Sequence, residues 1–269
     1  MDLTLQSDLY NNVKFNMHKL ILDIRGDDYE RISEVFHDSP DQIKELAEGF
    51  SNTLDRQAEE LQRIIPLPEI HGEKAVAFIG DSITSDRESF MNIIKRAYGG
   101  RQELHFIDAA VSGDKSDDAK MKFYIRTMNY NPDIVHILIG TNDMRESDDR
   151  YGDTCVSLGD YKCNLDYMVK CLVENGKKVI LSTVSPVCMD GLKKRFPEDH
   201  WMYHKEKIEN VNEILETLAL KYEVKLNDMR PVYGKYEGKE LLLRDGLHLN
   251  EKGQQLLAQH VLSALAEYL

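Results

Sequence analysis

Residues 75–82 read AVAFIGDS. The first five are apolar and form a short continuous run, which is typical of a strand buried on both faces of a sheet. Glycine, aspartate and serine follow directly, where the chain leaves the predicted strand. Similar, mostly apolar runs lie at 104–107, 134–139, 179–183 and 224–226. Together these runs predict an α/β protein built on a parallel sheet of five strands.

Helical segments are predicted between these runs and after the last of them. In the final segment the apolar residues Leu257, Val261 and Leu265 recur at helical spacing. Strands that alternate with helices in this way predict that helices cover both faces of the sheet. The predicted helices lie near 87–97, 119–128, 161–174, 201–221 and 251–268.

The first 70 residues have a different character. They hold 7 Lys and Arg against 15 Asp and Glu, which is −8 of the total formal charge of −13. A short helix is predicted at 29–37. A longer one at 40–65 carries a stripe of apolar residues and stops before Pro66 and Pro68, which disfavour helix. The chain is therefore predicted to have two units.

These units are an N-terminal, mainly helical extension at 1–70 and an α/β domain at 71–269. Leu3 and Leu5 could add an edge strand, or the segment around them packs loosely. The helix at 40–65 has two interpretations. Its apolar stripe packs on the α/β domain with the acidic side in solvent, or the helix forms the subunit interface of a homo-oligomer or a cap near the active site.

The composition argues against two classes of protein, those that bind nucleic acid and those that span a membrane. A formal net charge of −13 over 269 residues repels phosphate backbones and argues against nucleic acid as a partner. No apolar run is long enough to span a membrane, and no signal-peptide pattern is evident at the start. The four cysteines are predicted to be free thiols, and His200 and His204 to be helix-surface residues rather than metal ligands. A cytoplasmic location is expected.

Small and polar residues follow three of the predicted strands directly. They are found at 80–82, 108–113 and 140–143. Because the carboxyl ends of parallel strands lie at one edge of the sheet, we expect these three loops to meet there. Far along the chain, residues 245–248 read DGLH and supply an aspartate and a histidine together.

A serine, a histidine and an aspartate are the groups that nucleophilic acyl transfer requires. Ser82 is the candidate nucleophile, His248 the candidate base and Asp245 the group that would orient the imidazole. Each residue also has a simpler interpretation. Ser82 would cap a helix, Asp245 would form a turn or a cap, and His248 would be a polar loop residue.

An oxyanion that develops during acyl transfer needs hydrogen-bond donors. The backbone N–H of Ser82, the backbone N–H of Gly113 and the side-chain amide of Asn142 are the candidates. Glycine lets a substrate approach the backbone closely, which favours Gly113. The simpler interpretation of Gly113 and Asn142 is that both are turn residues.

The order of these motifs resembles that of the SGNH hydrolase superfamily, the GDSL-type esterases and lipases. The first block is FIGDSIT at 78–84, the third is GTND at 140–143 and the fifth is DGLHLN at 245–250, whereas the second, at 108–113, rests mainly on its glycine. Ile83 stands where the family's name-giving motif has leucine. The resemblance covers residues 74–269.

This resemblance implies a three-layer α/β/α sandwich around a mostly parallel five-stranded sheet, as in flavodoxin-like folds. It also implies Ser82, His248 and Asp245 as a triad, Ser82, Gly113 and Asn142 as an oxyanion hole, and no cofactor or metal. The chain has no G-x-S-x-G elbow around Ser82, which makes the α/β-hydrolase fold a poorer match.

The leading hypothesis is a serine esterase for small acyl esters, acetyl among them, including esters linked to carbohydrate. Alternatives are an acyltransferase that uses the same acyl-enzyme, and a lysophospholipase-like or thioesterase-like lipid acylhydrolase. A non-catalytic binding module is the hypothesis from a different class. Trp201, Met202 and Tyr203 are candidates for the lining of the acyl pocket.

Overall fold

A computed structural model describes residues 8–20, 26–146, 153–195 and 201–269. In this part of the chain five strands form one sheet in the order β2-β1-β3-β4-β5, and every neighbouring pair is parallel. The predicted parallel sheet is confirmed. The strands are β1 (Lys74–Gly80), β2 (Leu104–Asp108), β3 (Ile134–Leu138), β4 (Lys178–Ser182) and β5 (Lys225–Asn227).

Helices cover both faces of the sheet, which confirms the three-layer architecture. No helix in the described ranges is long and apolar enough to cross a membrane. Short 3₁₀ turns lie at Met17–Leu20 and Met128–Tyr130. The helices are α1 (Asp8–Lys14), α2 (Tyr29–Phe36), α3 (Pro40–Ile64), α4 (Ser82–Ser85), α5 (Phe90–Ala97), α6 (Ser116–Arg126), α7 (Leu158–Glu174), α8 (Met189–Arg195), α9 (Lys205–Tyr222), α10 (Arg230–Tyr233), α11 (Gly238–Leu241) and α12 (Glu251–Leu265).

Each of the two helical layers consists of its own group of helices. Helices α3, α5 and α12 pack against one another, and α7 packs against both α6 and α9. Strand β3 is buried along its whole length, as expected for a central parallel strand covered on both faces. His136 in this strand is fully buried, and burial lowers its pKa to about 3, so it is a neutral core residue bonded to the Ser182 hydroxyl at 2.7 Å.

Four predicted helix starts were wrong by three or four residues. The helices predicted from 119 and 161 begin at Ser116 and Leu158. The helix predicted from 87 begins at Phe90, because the Ser89 hydroxyl caps it by accepting the N–H of Asn92 at 3.4 Å. The helix predicted from 201 begins at Lys205. Before it the chain is extended, and Met202 exchanges two backbone hydrogen bonds of 2.9 Å with Glu146.

The N-terminal helices pack in two places. The second half of α3 contributes Leu54, Ala58 and Leu61 to the main core. Its first half contributes Ile43 and Phe50 to a small separate cluster, which Val13 and Ile32 complete. The apolar stripe of α3 is therefore buried, while the division of the chain at residue 70 stays a prediction. Leu3 and Leu5 lie outside the described residues.

Candidate active site

The sheet order places three loops at one crevice. The chain passes from β1 to β2 on one side and then returns to β3 on the other, so the strand order reverses at β1. In open parallel sheets, ligand sites form beyond the carboxyl ends of the strands at such a reversal. The loops that leave β1, β2 and β3 there carry Ser82, Gly113 and Asn142.

Ser82 is the first residue of the short helix α4. Asp81 precedes it and caps the helix, since its Oδ1 accepts the N–H of Ile83 at 2.9 Å. The cap that was the simpler interpretation of Ser82 is therefore made by Asp81. The Ser82 hydroxyl is left free to face another group.

That group is the imidazole of His248. Its Nε2 lies 2.8 Å from the Ser82 Oγ, and its Nδ1 lies 2.7 Å from Oδ2 of Asp245. A carboxylate only accepts, so the imidazole donates through Nδ1 and Nε2 is left to accept the serine proton. The structure thus brings the three sequence-predicted residues into one hydrogen-bonded chain.

Asp245 also shapes the loop that carries the histidine. Its second oxygen, Oδ1, accepts the backbone N–H groups of Leu247 at 2.9 Å and of His248 at 3.1 Å. Asp245 therefore forms the turn through Oδ1 and contacts the imidazole through Oδ2, so both interpretations of this residue are consistent with the geometry. This double use holds the imidazole at a defined angle to the carboxylate.

Burial and charge act in opposite directions on this pair. Burial alone would lower the pKa of His248, but the charge and hydrogen bond of Asp245 outweigh it and raise that pKa above its ordinary value. Burial would raise the pKa of Asp245, but His248 and the two backbone N–H groups lower it overall. The pair is arranged to stabilise a positive charge on the imidazole.

Gly246 allows the loop to pack closely on a neighbouring segment. Its φ is +72°, and a Cβ at this position would lie 2.1 Å from the carbonyl oxygen of Cys188. The N–H of Cys188 donates to the Gly246 carbonyl at 2.7 Å. Only glycine fits this left-handed position against backbone, so the loop with Asp245 and His248 is seated on the segment that leads into α8.

The second and third loops contact each other. The Asn142 side-chain amide is buried and donates to the carbonyl of Asp114, the residue after Gly113, at 3.1 Å. An asparagine amide has two N–H donors, so this bond uses one of them. The carboxylate of Asp143 accepts the N–H of Ser116 at 3.0 Å and 3.1 Å, which fixes the same two loops together.

Asp81 is a buried carboxylate beside Ser82, with 1% of its surface exposed. Burial raises its pKa from the ordinary 3.8 to about 7, although the Ile83 N–H and the charge of His248 oppose the shift. Because the pKa is higher in the folded state, the folded protein keeps a proton that the unfolded chain releases. The stability contributed by Asp81 is therefore present at low pH and is lost as pH rises from about 4 to about 7.

We expect Asp81→Asn to stabilise the fold by about 4 kcal/mol at pH 8 and by clearly less at pH 5. The amide oxygen can still accept the Ile83 N–H, so the cap is kept. Urea unfolding of the wild type and of Asp81→Asn at both pH values measures the effect. Asp153→Asn, a change at an exposed position, is the control. An equal gain at both pH values, or a loss at pH 8, would contradict the burial argument.

Sequence reasoning missed one aromatic contact at this site. The ring of Phe15 stacks on the imidazole of His248, with centroids 4.0 Å apart and planes inclined by 24°. Phe15 lies in the N-terminal segment, outside every motif that pointed to the site. A single aromatic residue in an unpatterned stretch has no local signal that could have identified it.

Among the described residues, no group of three His, Cys, Asp or Glu side chains could hold a metal ion. His204 is an exposed residue at the start of α9, with its Nε2 3.6 Å from Glu146. His200 lies outside the described ranges.

Comparison with known proteins identifies the family of this chain. The profile of the GDSL-like lipase/acylhydrolase family matches residues 78–256, well over half of the chain. A relative from Bacillus subtilis, named uncharacterized lipoprotein YqeF, is 29% identical over 100 residues. That match spans 37% of this chain and 40% of the lipoprotein.

Solved structures are similar in fold. A lipase/acylhydrolase from Enterococcus faecalis has a TM-score of 0.59 and 24% identity, covering 72% of this chain and 96% of its own. A catalytic mutant of Axe2, an acetylxylan esterase from Geobacillus stearothermophilus, has a TM-score of 0.58 and 17% identity, covering 73% of this chain and 95% of its own. With the family match and this fold, the chain belongs to the GDSL-like lipase/acylhydrolase family, within the SGNH hydrolases, and is an ester-hydrolysing enzyme.

Proposed function

We propose that this enzyme is a serine esterase that cleaves small acyl esters, acetyl esters of carbohydrates among them, through an acyl-enzyme intermediate. The observation that carries the proposal is the hydrogen-bonded chain from the Ser82 hydroxyl through His248 to Asp245, with distances of 2.8 Å and 2.7 Å. A nucleophile, a base and an orienting carboxylate in hydrogen-bond contact are the arrangement that activates a serine.

In the first half of the reaction, His248 Nε2 takes the hydroxyl proton while Ser82 Oγ attacks the ester carbonyl carbon. The carbonyl oxygen becomes an oxyanion, for which the N–H groups of Ser82 and Gly113 and the Asn142 amide are the proposed donors. When the tetrahedral intermediate collapses, the bond to the alcohol oxygen breaks. The imidazolium then gives its proton to that oxygen, and the acyl group stays on Ser82.

In the second half, water takes the place of the alcohol. His248 removes a proton from water, the hydroxide attacks the acyl carbon, and a second oxyanion forms in the same place. Its collapse breaks the bond to Ser82 Oγ, which recovers its proton from the imidazolium. Free acid leaves and the enzyme returns to its starting state. An alcohol that entered instead of water would give transfer rather than hydrolysis.

A cavity of about 600 Å³ lies beside Cys188, against which Gly246 packs, but no residue of the candidate triad lines it. Apolar Val184 and Ile208 line it together with Tyr203, whose hydroxyl is buried and has no hydrogen-bond partner among the described residues. Burial raises the pKa of Tyr203.

The acyl preference is tested with p-nitrophenyl esters from acetate to octanoate and with acetylated xylo-oligosaccharides. We expect kcat/KM to fall by at least about tenfold from acetate to octanoate, since a pocket suited to acetyl excludes longer chains. A fluorophosphonate probe should label Ser82, as peptide mapping would show. A maximum at octanoate would favour the lipid acylhydrolase, and product found only on an added polyol would favour the acyltransferase.

A further inference from the structure

Residues 8–20, here called the N-terminal segment, lie against the candidate active site. Phe15 is only 4% exposed, and its ring stacks on the imidazole of His248 with 4.0 Å between centroids. The family profile begins at residue 78, so Phe15 is not part of the motifs that define the family. This contact therefore comes from outside the region that the family profile matches.

Backbone and side-chain hydrogen bonds attach the N-terminal segment to the residues that follow Ser82. The Asn16 amide donates to the carbonyl of Ser85, in the helix that begins with Ser82, at 2.7 Å. Arg87 donates its backbone N–H to the carbonyl of Lys14 at 2.8 Å and its Nε to the carbonyl of Val13 at 2.9 Å. The position of Phe15 is thus tied on both sides to the serine loop.

A buried ion cluster adds to this attachment. Lys14 is 3% exposed, and its Nζ lies 3.1 Å from Asp86 and also pairs with Glu88. Burial would lower the pKa of Lys14, but the two carboxylates raise it above its ordinary value, so the lysine stays charged. Separating these groups would leave buried charges without partners, which is strongly unfavourable.

The N-terminal segment also contacts the loop that contains Gly113. The Ser112 hydroxyl donates to the carbonyl of Phe15 itself. Lys19 forms an ion pair with Asp108 and donates to the carbonyl of Ala110 at 3.4 Å. One short segment therefore touches the serine loop, the Gly113 loop and the histidine.

We propose that Phe15 is a positioning residue that holds the His248 imidazole against its ring and stabilises the imidazolium that forms during catalysis. This rests on the proposed function, in which His248 takes the proton of Ser82. A positive charge over an aromatic face is attracted by the ring quadrupole when the centroid is within about 6 Å. The contact is stronger in the charged state, so it favours the transition state.

Charged groups approach the imidazole from three elements. Asp245 lies on its own loop, Asp81 and Asp86 lie on the serine loop, and all three carboxylates favour the charged imidazole. On the N-terminal segment, the Lys14 Nζ is 5.9 Å from the centre of the Phe15 ring. These groups stay in place when only the ring at position 15 is changed, so the ring's contribution can be measured separately.

Phe15→Leu, which keeps an apolar cover but removes the aromatic face, is the decisive variant. With p-nitrophenyl acetate we expect kcat to fall about tenfold while KM changes by less than about twofold. The acid limb of the pH–rate profile should move to lower pH, because the imidazolium loses stabilisation. Phe15→Tyr should restore kcat to within about twofold of wild type.

The control variant is Phe36→Leu, which loosens the small N-terminal cluster without touching His248. It should keep the wild-type kcat and acid limb, with only a lower thermal midpoint. Wild-type kcat and acid limb in Phe15→Leu, or a change confined to KM, would overturn the proposal. If Phe15→Leu does not fold, the His248 Cε1–H resonance of the wild type still tests it, since an imidazole without an upfield ring-current shift is not stacked.

The same experiments separate the two proposals. If a fluorophosphonate fails to label wild-type Ser82, the proposed function itself is wrong. If wild type and Phe15→Leu are both labelled at the same rate, Ser82 is an activated nucleophile and only the proposed role of Phe15 is wrong. Slower labelling of Phe15→Leu, restored in Phe15→Tyr, is the expected result.

Discussion

Ser82→Ala is expected to lower kcat for ester hydrolysis by roughly 10⁴- to 10⁶-fold, with little change in KM. The variant removes the atom that would carry the acyl group, so no acyl-enzyme can form. The backbone N–H of residue 82 and the other oxyanion donors remain, which is why a residual rate above that of water is expected. Folding should be affected little, because the hydroxyl is partly exposed and no core packing is lost.

Initial rates on p-nitrophenyl acetate, with probe labelling of the same samples, measure this effect. Ser263→Ala is the control, since it removes a serine hydroxyl from the exposed surface of α12. It should retain wild-type activity and labelling. Ser82→Ala with more than about 1% of the wild-type kcat would show that another group supplies the nucleophile.

Asp245→Asn is expected to lower kcat at neutral pH by about 10⁴-fold while leaving the fold intact. The Asn oxygen can take the place of Oδ1, which accepts the N–H groups of Leu247 and His248. The amide nitrogen would then occupy the place of Oδ2 and donate to Nδ1 of the imidazole. This forces the imidazole proton onto Nε2, so the base can no longer accept the proton of Ser82.

The pH–rate profile gives a second measurement for Asp245→Asn. Asp245 raises the pKa of His248, so removing its charge should move the acid limb to lower pH as well as reduce the maximum rate. Asp190→Asn, an exposed change in the neighbouring helix α8, is the matched control and should have wild-type kinetics. A loss of less than about tenfold in Asp245→Asn would show that His248 does not need this carboxylate.

Several predictions from composition stay untested. They are a cytoplasmic location, the absence of a nucleic-acid partner and a homo-oligomer formed through the N-terminal helices. The relative from Bacillus subtilis carries the name of a lipoprotein, although its match covers only part of both chains. Fractionation of cells and mass measurement in solution would test the first and the last.

The local pattern of apolar and polar residues was sufficient to predict most of the fold. Each of the five strands was predicted to within about two residues at either end, because each lies in a short, mostly apolar run of sequence. Helix starts were less accurate, by three or four residues, at Phe90, Ser116, Leu158 and Lys205. At Phe90 a capping serine decided where the helix begins, and at Lys205 an extended pairing of the preceding residues with Glu146 did so. Neither feature is visible in hydrophobic spacing.

The candidate triad and the oxyanion donors could be named from sequence, since each follows a strand or lies in a short motif, and parallel strands bring their carboxyl ends together. The sequence could not give the distances, the protonation states or the separate roles of the two Asp245 oxygens. These depend on burial and on the packing of Gly246 against Cys188. The contact of Phe15 with His248 was decided by tertiary structure alone. It joins opposite ends of the chain, and a stacked ring gains its energy from a partner that no local pattern identifies.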